Sequence, residues 1–202
     1  MKAKNLLFGI ALLLLGFTIQ AQAQQMDMNQ LKEQYSKKWF FSFSTGAASM
    51  AYNDDIDEIL KLLKDNSEVE TTAIDLDLGI YKSISEKMSL GIAVNMAGDR
   101  YSLNDDWFQI NQYLYAVSAI THLNKQFDGF YLRTDLGLAN FVITDSDSNS
   151  EATDSGYGIL VGVGYSFNLF TNFRMAPYAN FKYSKVEDSD DSKIAFGVKF
   201  IF

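Results

Sequence analysis

Six charged residues stand in segments of the chain where large apolar residues alternate with small ones. Three are acids and three are bases: Asp75, Asp77, Arg133, Asp135, Lys182 and Lys199. In each segment the charged residue falls on the same alternate positions as Gly, Ala, Ser or Asn, and the large apolar residues fall on the positions between them. In a strand these two sets of positions face opposite sides, and a residue's set is called its parity below. An unpaired buried charge is very costly. We therefore expect a network of ion pairs, and the alternative for the same residues is an ion path or a gate.

A second set of oxygen ligands lies in the polar segment 145–151, which reads DSDSNSE. Asp145, Asp147 and Asn149 at alternate positions resemble the start of a calcium loop. The sixth position is Ser150 where such a loop needs Gly, and the twelfth is Gly156 where it needs Glu. A solvated acidic loop without a metal is the favoured interpretation.

General-base chemistry has one histidine to draw on, His122. Acyl-transfer and hydrolytic sites usually need such a base beside a nucleophile. No long polar segment brings a base beside a Ser, so we expect no catalytic residue, no cofactor and no metal. The chain has no Cys, which excludes thiolate and disulfide chemistry and a lipoprotein anchor.

The segment 54–65 (DDIDEILKLLKD) has apolar residues at helical spacing, at Ile56, Ile59, Leu60 and Leu63. Asp55 with Glu58 fits a capping box. We expect a short amphipathic helix that packs on the rim of its own domain. The alternatives are a helix that covers the mouth of that domain as a lid, lies in the outer membrane interface, or docks on a partner.

Eight segments alternate as strands do, with one strongly apolar face. They are Trp39–Ala48, Thr72–Tyr81, Met88–Ala97, Ile110–Leu123, Phe130–Phe141, Tyr157–Phe167, Phe173–Ser184 and Ile194–Phe202. Each is close to the length that a tilted strand needs to cross a bilayer. The pattern predicts an all-β fold, an eight-stranded antiparallel up-and-down transmembrane β-barrel. No segment after the N-terminal run is apolar enough for a transmembrane helix.

The connections alternate between short and long, as in outer-membrane barrels with short periplasmic turns and longer external loops. The long ones, 49–71, 98–109, 142–156 and 185–193, carry net charges of -5, -2, -4 and -2. An even strand number places both ends of the barrel chain on the periplasmic side. In such a barrel the six charged residues lie on the inward face of their strands, in the lumen.

The last predicted strand carries a five-residue outward apolar stripe that ends on an aromatic residue. The stripe is Ile194, Phe196, Val198, Phe200 and Phe202. A water-soluble barrel such as a lipocalin, the alternative fold, would carry polar residues on its outer face. The stripe predicts a lipid-facing strand and serves as the candidate signal for the barrel-assembly machinery.

The N-terminal segment combines Lys2 and Lys4 with an apolar run over 6–19 and the sequence Ala21-Gln22-Ala23. This is the pattern of a signal peptide. We expect residues 1–23 to be cleaved, 24–37 to form a periplasmic segment and 38–202 to form the barrel. The net charge of the whole chain is -8, and it becomes -10 without Lys2 and Lys4, which argues against nucleic acid as a partner.

With these features, the chain resembles the small eight-stranded outer-membrane barrels of the OmpA-transmembrane-domain and OmpX kind. It is similar in particular to the "outer membrane protein beta-barrel domain" proteins of Bacteroidota. The resemblance implies a location in the outer membrane of a Gram-negative bacterium, with outer-membrane lipid and the barrel-assembly machinery as partners. It carries no fixed functional residues.

The sequence thus favours a structural or interaction protein that displays acidic loops, as a subunit of an envelope complex or with a protein partner at the loops. The alternative is a narrow channel or conduit for small or hydrophobic solutes. An enzyme is the third hypothesis.

Overall fold

The computed structural model describes residues 39–65, 68–104, 106–124, 127–147, 149–170, 173–187 and 189–202. The predicted signal peptide, residues 1–23, and the predicted periplasmic segment, residues 24–37, lie outside the described residues. Within the described ranges, no helix is long and apolar enough to cross a membrane.

The predicted eight-stranded antiparallel barrel and the short helix in its first long connection are confirmed. The barrel strands are β1 Trp39–Ala51, β2 Glu70–Ser83, β3 Met88–Leu103, β4 Asp106–His122, β5 Gly129–Asp145, β7 Gly156–Phe170, β8 Phe173–Val186 and β9 Ser189–Ile201. Helix α1 spans Asp54–Asp65, and β6, Ser150–Ala152, pairs with β5 alone. Each barrel strand pairs with the next along the chain, and β9 returns to β1 and closes the barrel.

The barrel has two ends, a terminal end and a helix end. The terminal end holds Trp39 and Phe202. Here the backbone groups of Phe202 exchange hydrogen bonds with those of Phe41. The helix end holds α1, and the turns that follow β3, β5 and β8 lie there too.

The strands extend farther toward the helix end than the sequence predicts. The expected loop 98–109 is reduced to a turn that contains Asn104, and the expected loop 185–193 to one that contains Glu187. Both residues have positive φ, at 54° and 53°, as two-residue hairpin turns require. The prediction fails here because pairing continues where the outer face stops being apolar.

The two faces of the barrel follow the predicted parity. Large apolar residues such as Leu78, Ile92, Leu136 and Phe196 are exposed on the outer face. The inward face combines small and polar residues with a few large apolar ones such as Phe40, Leu114 and Leu160. Together they fill the interior, which in an eight-stranded barrel is just wide enough for side chains.

Three inward tyrosines lie over glycines of a neighbouring strand or of their own. Tyr81 covers Gly79 and Gly91, and Tyr131 covers Gly164, so that a Cβ atom at any of these glycines would overlap the ring. Tyr178 lies over Gly197 in the same way. The glycines give the rings room to lie flat against the wall.

Pro177, the one proline of the chain, lies on β8. The ladder between β7 and β8 is interrupted there, between the pairs Gly164–Tyr178 and Phe167–Met175. Proline has no N–H to donate, so the interruption matches the missing donor.

Candidate functional site in the barrel interior

Four of the six predicted interior charges meet in one cluster. Nη2 of Arg133 donates to Oδ2 of Asp77 at 2.6 Å, and its Nε donates to Oδ1 of Asp135 at 2.9 Å. Nζ of Lys199 lies 3.5 Å from Oδ1 of Asp77. All four side chains are sealed from solvent. Two acids and two bases thus neutralise each other in the half of the barrel toward the terminal end.

The cluster extends sideways through hydroxyl groups. The hydroxyl of Ser118 donates to Oδ1 of Asp135 and lies 3.1 Å from the hydroxyl oxygen of Tyr81. Asp135 therefore has hydrogen-bond partners on β4 as well as the ion pair on its own strand. The remaining acceptor capacity of this buried carboxylate is filled, as a buried charge requires.

Asp75 forms a second cluster, one inward position nearer the helix end of β2. Its Oδ2 accepts a hydrogen bond from Tyr178 at 2.7 Å, and its Oδ1 accepts one from Nδ2 of Asn95 at 3.0 Å and another from Nζ of Lys193. Lys193 also donates to Oδ1 of Asn95 at 2.7 Å. Four strands, β2, β3, β8 and β9, are tied together through this one carboxylate.

Lys193 was missed by the sequence prediction, as were the buried acids Asp99 and Asp191. All three were assigned to loops because their surroundings are polar. A weak signal exists: the inward parity of the last strand continues backward from Lys199 through Ala195 to Lys193 and Asp191.

Lys182 is inward and fully buried. Its Nζ has no hydrogen-bond partner in the structure, and the ladder places it opposite Lys193. Ser184 and Asp191 face each other one step closer to the helix end. The ion-pair partner of Asp75 is Lys193. The alternation of residues along a strand does not reveal this partner, because it does not give the register between strands.

Helix α1 closes the helix end of the barrel. Leu60 is buried with Met50, Tyr52, Ala97, Tyr101 and Ile110, and Ile56 and Leu63 pack against the same cluster. Asn53 caps the helix, because its Oδ1 accepts the N–H of Ile56 at 3.2 Å. The predicted capping box of Asp55 and Glu58 rests on the side chain of Asp55, which lies outside the described residues. Ile56, Leu60 and Leu63 of the apolar stripe therefore pack on the barrel of the same chain.

Two tyrosines share one acid at the helix end, Tyr101 on β3 and Tyr52 in the connection between β1 and α1. Tyr101 and Tyr52 donate to Oδ2 of Asp99 at 2.8 Å and 3.2 Å. Burial, followed by the carboxylate of Asp99, holds the pKa of the Tyr52 hydroxyl well above its usual range, so the hydroxyl remains a donor.

Phe127, in the turn between β4 and β5, closes the terminal end. Its ring packs on a cluster of Phe40, Tyr81, Ile120, Tyr131, Ala176 and Ile201. It meets the ring of Phe40 edge-on at 4.7 Å, and the guanidinium of Arg174 lies 4.5 Å from its centroid. The only His of the chain, His122, lies beside this ring and is buried.

The proposed assembly residues all lie on the outer face of β9 or directly after it. Ile194, Phe196 and Phe202 are exposed, and Val198 and Phe200 are half-buried. Phe200 stacks on Phe43 of β1 and on Phe173 of β8. The stripe therefore runs along the seam that closes the barrel.

The acidic segment 145–151 forms the β5–β6 hairpin. The carboxylate of Asp145 accepts the backbone N–H and the side-chain amide of Asn149, at 2.9 Å and 3.0 Å. Across the described ranges, no group of three or more His, Cys, Asp or Glu residues is arranged to hold a metal ion.

The autotransporter beta-domain family matches residues 66–191, which is more than half of the chain. The chain belongs to this family. The match begins between α1 and β2 and ends inside β9. This autotransporter beta-domain is therefore an outer-membrane β-barrel protein.

Solved structures show the same fold. Ail, the attachment invasion locus protein of Yersinia pestis, crystallised with the heparin analogue sucrose octasulfate, is 17% identical at a TM-score of 0.53 and covers 82% of this chain and 100% of its own. Neisserial surface protein A is 11% identical at a TM-score of 0.54 and covers 81% and 95%. At this identity the likeness extends to the fold alone. No curated protein sequence matches the chain.

Proposed function

We propose that this protein is a closed outer-membrane barrel that acts as a structural or interaction protein through its external face, without catalysis. The helix end is then external and the terminal end periplasmic. The observation that carries the proposal is the succession of closed layers along the barrel axis: the lid cluster under α1, the two ion-pair clusters and the Phe127 cluster.

Conductance across a planar lipid bilayer tests the closed interior. The wild-type protein is expected to show no steady current above leak at neutral pH. A stable, ion-selective current that Asp77→Asn abolishes would make the interior charges a pore filter and would overturn the proposal.

A narrow channel is the second candidate, and Lys182 is the observation that favours it. A buried ammonium without a hydrogen-bond partner is the kind of intramembrane charge that often marks an ion path. In the same bilayer experiment, a current whose anion selectivity is lost in Lys182→Gln would support this candidate.

The external face favours a basic partner. Exposed acids lie in the turns and the adjoining strand ends of this face, at Asp106, Asp147, Glu151, Asp154 and Glu187. Ail was crystallised with a polysulfate, and the sign of the charge here opposes a ligand of that type. We propose a basic surface of another envelope protein as the partner.

Charge reversal tests this partner. Glu151→Lys with Asp154→Lys is expected to lose proteins that co-purify from native outer membranes at low salt. Asn149→Gln, in the same hairpin and without a charge change, is the control. Co-purification that is unchanged by the reversal would contradict the proposal.

We also propose that the outward stripe of β9 is read by the barrel-assembly machinery, since it borders the closing seam. Phe202→Ala is expected to lower the amount of folded protein in the outer membrane. Phe170→Ala is the matched control, because Phe170 is an exposed outward Phe on β7 at the same end. Equal yields of the two variants, measured by heat-modifiable gel mobility, would contradict this role.

Cleavage after Ala23, a periplasmic segment 24–37 and a source in the Bacteroidota remain proposals from the sequence. Mass spectrometry of the protein purified from outer membranes tests the first: an N-terminus at Gln24 supports cleavage, and one at Met1 excludes it.

A further inference from the structure

The turn between β4 and β5 places a bulky residue in a backbone conformation that such residues rarely adopt. Phe127 has φ of 64°, in the left-handed region. For a side chain of this size that conformation is strained, because the Cβ atom comes close to the following carbonyl oxygen. It persists only where the surroundings over-determine it, and such strain often marks a part that moves. The surroundings of Phe127 therefore show what holds it in place.

Two polar contacts hold the backbone of Phe127. Its N–H donates to Nε2 of His122 at 3.4 Å, and its carbonyl accepts the hydroxyl of Ser166 at 3.1 Å. The first contact requires an imidazole that is neutral at Nε2, because a protonated ring nitrogen is a donor and cannot accept.

The groups around His122 decide what protonation would do. The charged groups that act on it are Arg174 on β8 and Asp128 in the turn. The ring of Tyr131 on β5 lies 5.7 Å from the imidazole ring. The backbone N–H of His122 donates to the carbonyl of Lys87. Nδ1 is buried and has no hydrogen-bond partner in the structure. A proton added at Nε2 would thus face the N–H of Phe127 and stand near the guanidinium of Arg174.

We propose that His122 and Phe127 form a proton-controlled stopper at the terminal end of the barrel. With a neutral His122, the imidazole holds the N–H of Phe127 and the ring seals the mouth. Protonation of Nε2 breaks this bond, the strained backbone relaxes, and the ring leaves the apolar cluster. The ion-pair clusters and the lid under α1 remain closed, so acid admits water and small reagents to the first layer without opening a path through the barrel.

A single-cysteine reporter tests the stopper, because the natural chain has no Cys. Ser42→Cys is nearly isosteric, and Ser42 is an inward residue with a buried hydroxyl that makes no hydrogen bond in the structure. Ser42 is the next inward residue of β1 after Phe40, and Phe40 belongs to the cluster on which Phe127 packs. The rate of labelling by a small maleimide is divided at each pH by the rate for Ser155→Cys, an exposed residue. This ratio removes the direct effect of pH on thiol reactivity.

The expected result is a rise in that ratio between pH 7.5 and pH 4, by about tenfold if one buried hydrogen bond sets the balance. In the His122→Gln background the ratio should stay low at both pH values, because the amide oxygen of Gln accepts a hydrogen bond and does not titrate in this range. In the Phe127→Ala background it should be high at both. Heat-modifiable gel mobility checks that each variant is folded.

Three outcomes would overturn the proposal. An equal rise with acid in the His122→Gln background would assign the effect to other groups. If the labelling ratio in the reporter protein does not change with pH, while the ratio in the Phe127→Ala background is high, the ring is a stopper that does not respond to protons. A low ratio in a folded Phe127→Ala protein would show that the ring is no stopper. None of these outcomes changes the bilayer current, so failure here is distinct from failure of the closed-barrel function.

Discussion

Arg133 reaches across the barrel interior from β5 to Asp77 on β2, and the two side chains meet at 2.6 Å with no exposure to solvent. Their contact links two strands that share no ladder. Since a broken buried pair leaves an uncompensated charge, Asp77→Asn is expected to lower the free energy of unfolding by about 3–5 kcal/mol. Denaturant unfolding in lipid vesicles measures this, and Asp147→Asn, at an exposed loop acid, is the control.

The destabilising effects of substitutions at Arg133 and Asp77 should not be additive. Arg133→Met combined with Asp77→Asn is expected to cost less than the sum of the single changes, because each single change already removes the interaction. Strict additivity, or an Asp77→Asn protein as stable as Asp147→Asn, would show that the pair is not a unit.

Val163 tests the outer face. It lies half exposed on the outer side of β7, among apolar neighbours. Val163→Arg is expected to destabilise the folded barrel by about 2–4 kcal/mol if the site lies near the middle of the bilayer. Ser155→Arg, outside the strands, should change stability by less than about 0.5 kcal/mol. If both variants unfold at the same denaturant concentration, Val163 does not face lipid.

Gly164 tests the packing of Tyr131. A Cβ atom at this position would overlap the tyrosine ring, so Gly164→Ala is expected to destabilise by about 1–3 kcal/mol through overpacking. In the Tyr131→Leu background the same change should cost much less. A double-mutant cycle in lipid vesicles measures the difference, and a coupling energy of zero would contradict the contact.

Leu60 and Leu62 form a matched pair on helix α1. Leu60 is 3% exposed and Leu62 is 71% exposed. Leu60→Ala is expected to weaken the docking of the lid by about 2–5 kcal/mol, and Leu62→Ala to leave it unchanged. Hydrogen exchange of the helix amides reports the docking. Equal protection in the two variants would mean that the lid is held by something other than Leu60.

Alternation alone was enough to place Asp75, Asp77, Arg133, Asp135, Lys182 and Lys199 inside the barrel. It works because successive residues of a strand face opposite sides and the outer side is apolar along the middle of each strand. Beyond that middle, both faces are polar and the signal vanishes. This is why Asp99, Asp191 and Lys193 were assigned to loops.

Partners across the barrel could not be predicted in the same way. Whether Asp75 meets Lys182 or Lys193 depends on the stagger of eight strands, which a single sequence does not encode in its parity. The stopper at Phe127 was missed for another reason: it lies in a turn, and no periodic pattern marks an apolar side chain that folds back into the mouth.

The seam between β1 and β9 has a kinetic consequence. It pairs Ser42 with Ile201 and Ala51 with Ser192, which joins the beginning of the described chain to its end. Contacts between residues so far apart in the sequence form slowly, because the entropic cost of closing the long loop comes before the contacts stabilise the fold. Until β9 arrives, β1 keeps a bare edge of backbone donors and acceptors, which is a template for aggregation. The time between synthesis and closure is therefore the period in which this protein is most exposed to aggregation, and a chaperone that covers the free edge of β1 is expected to raise its yield.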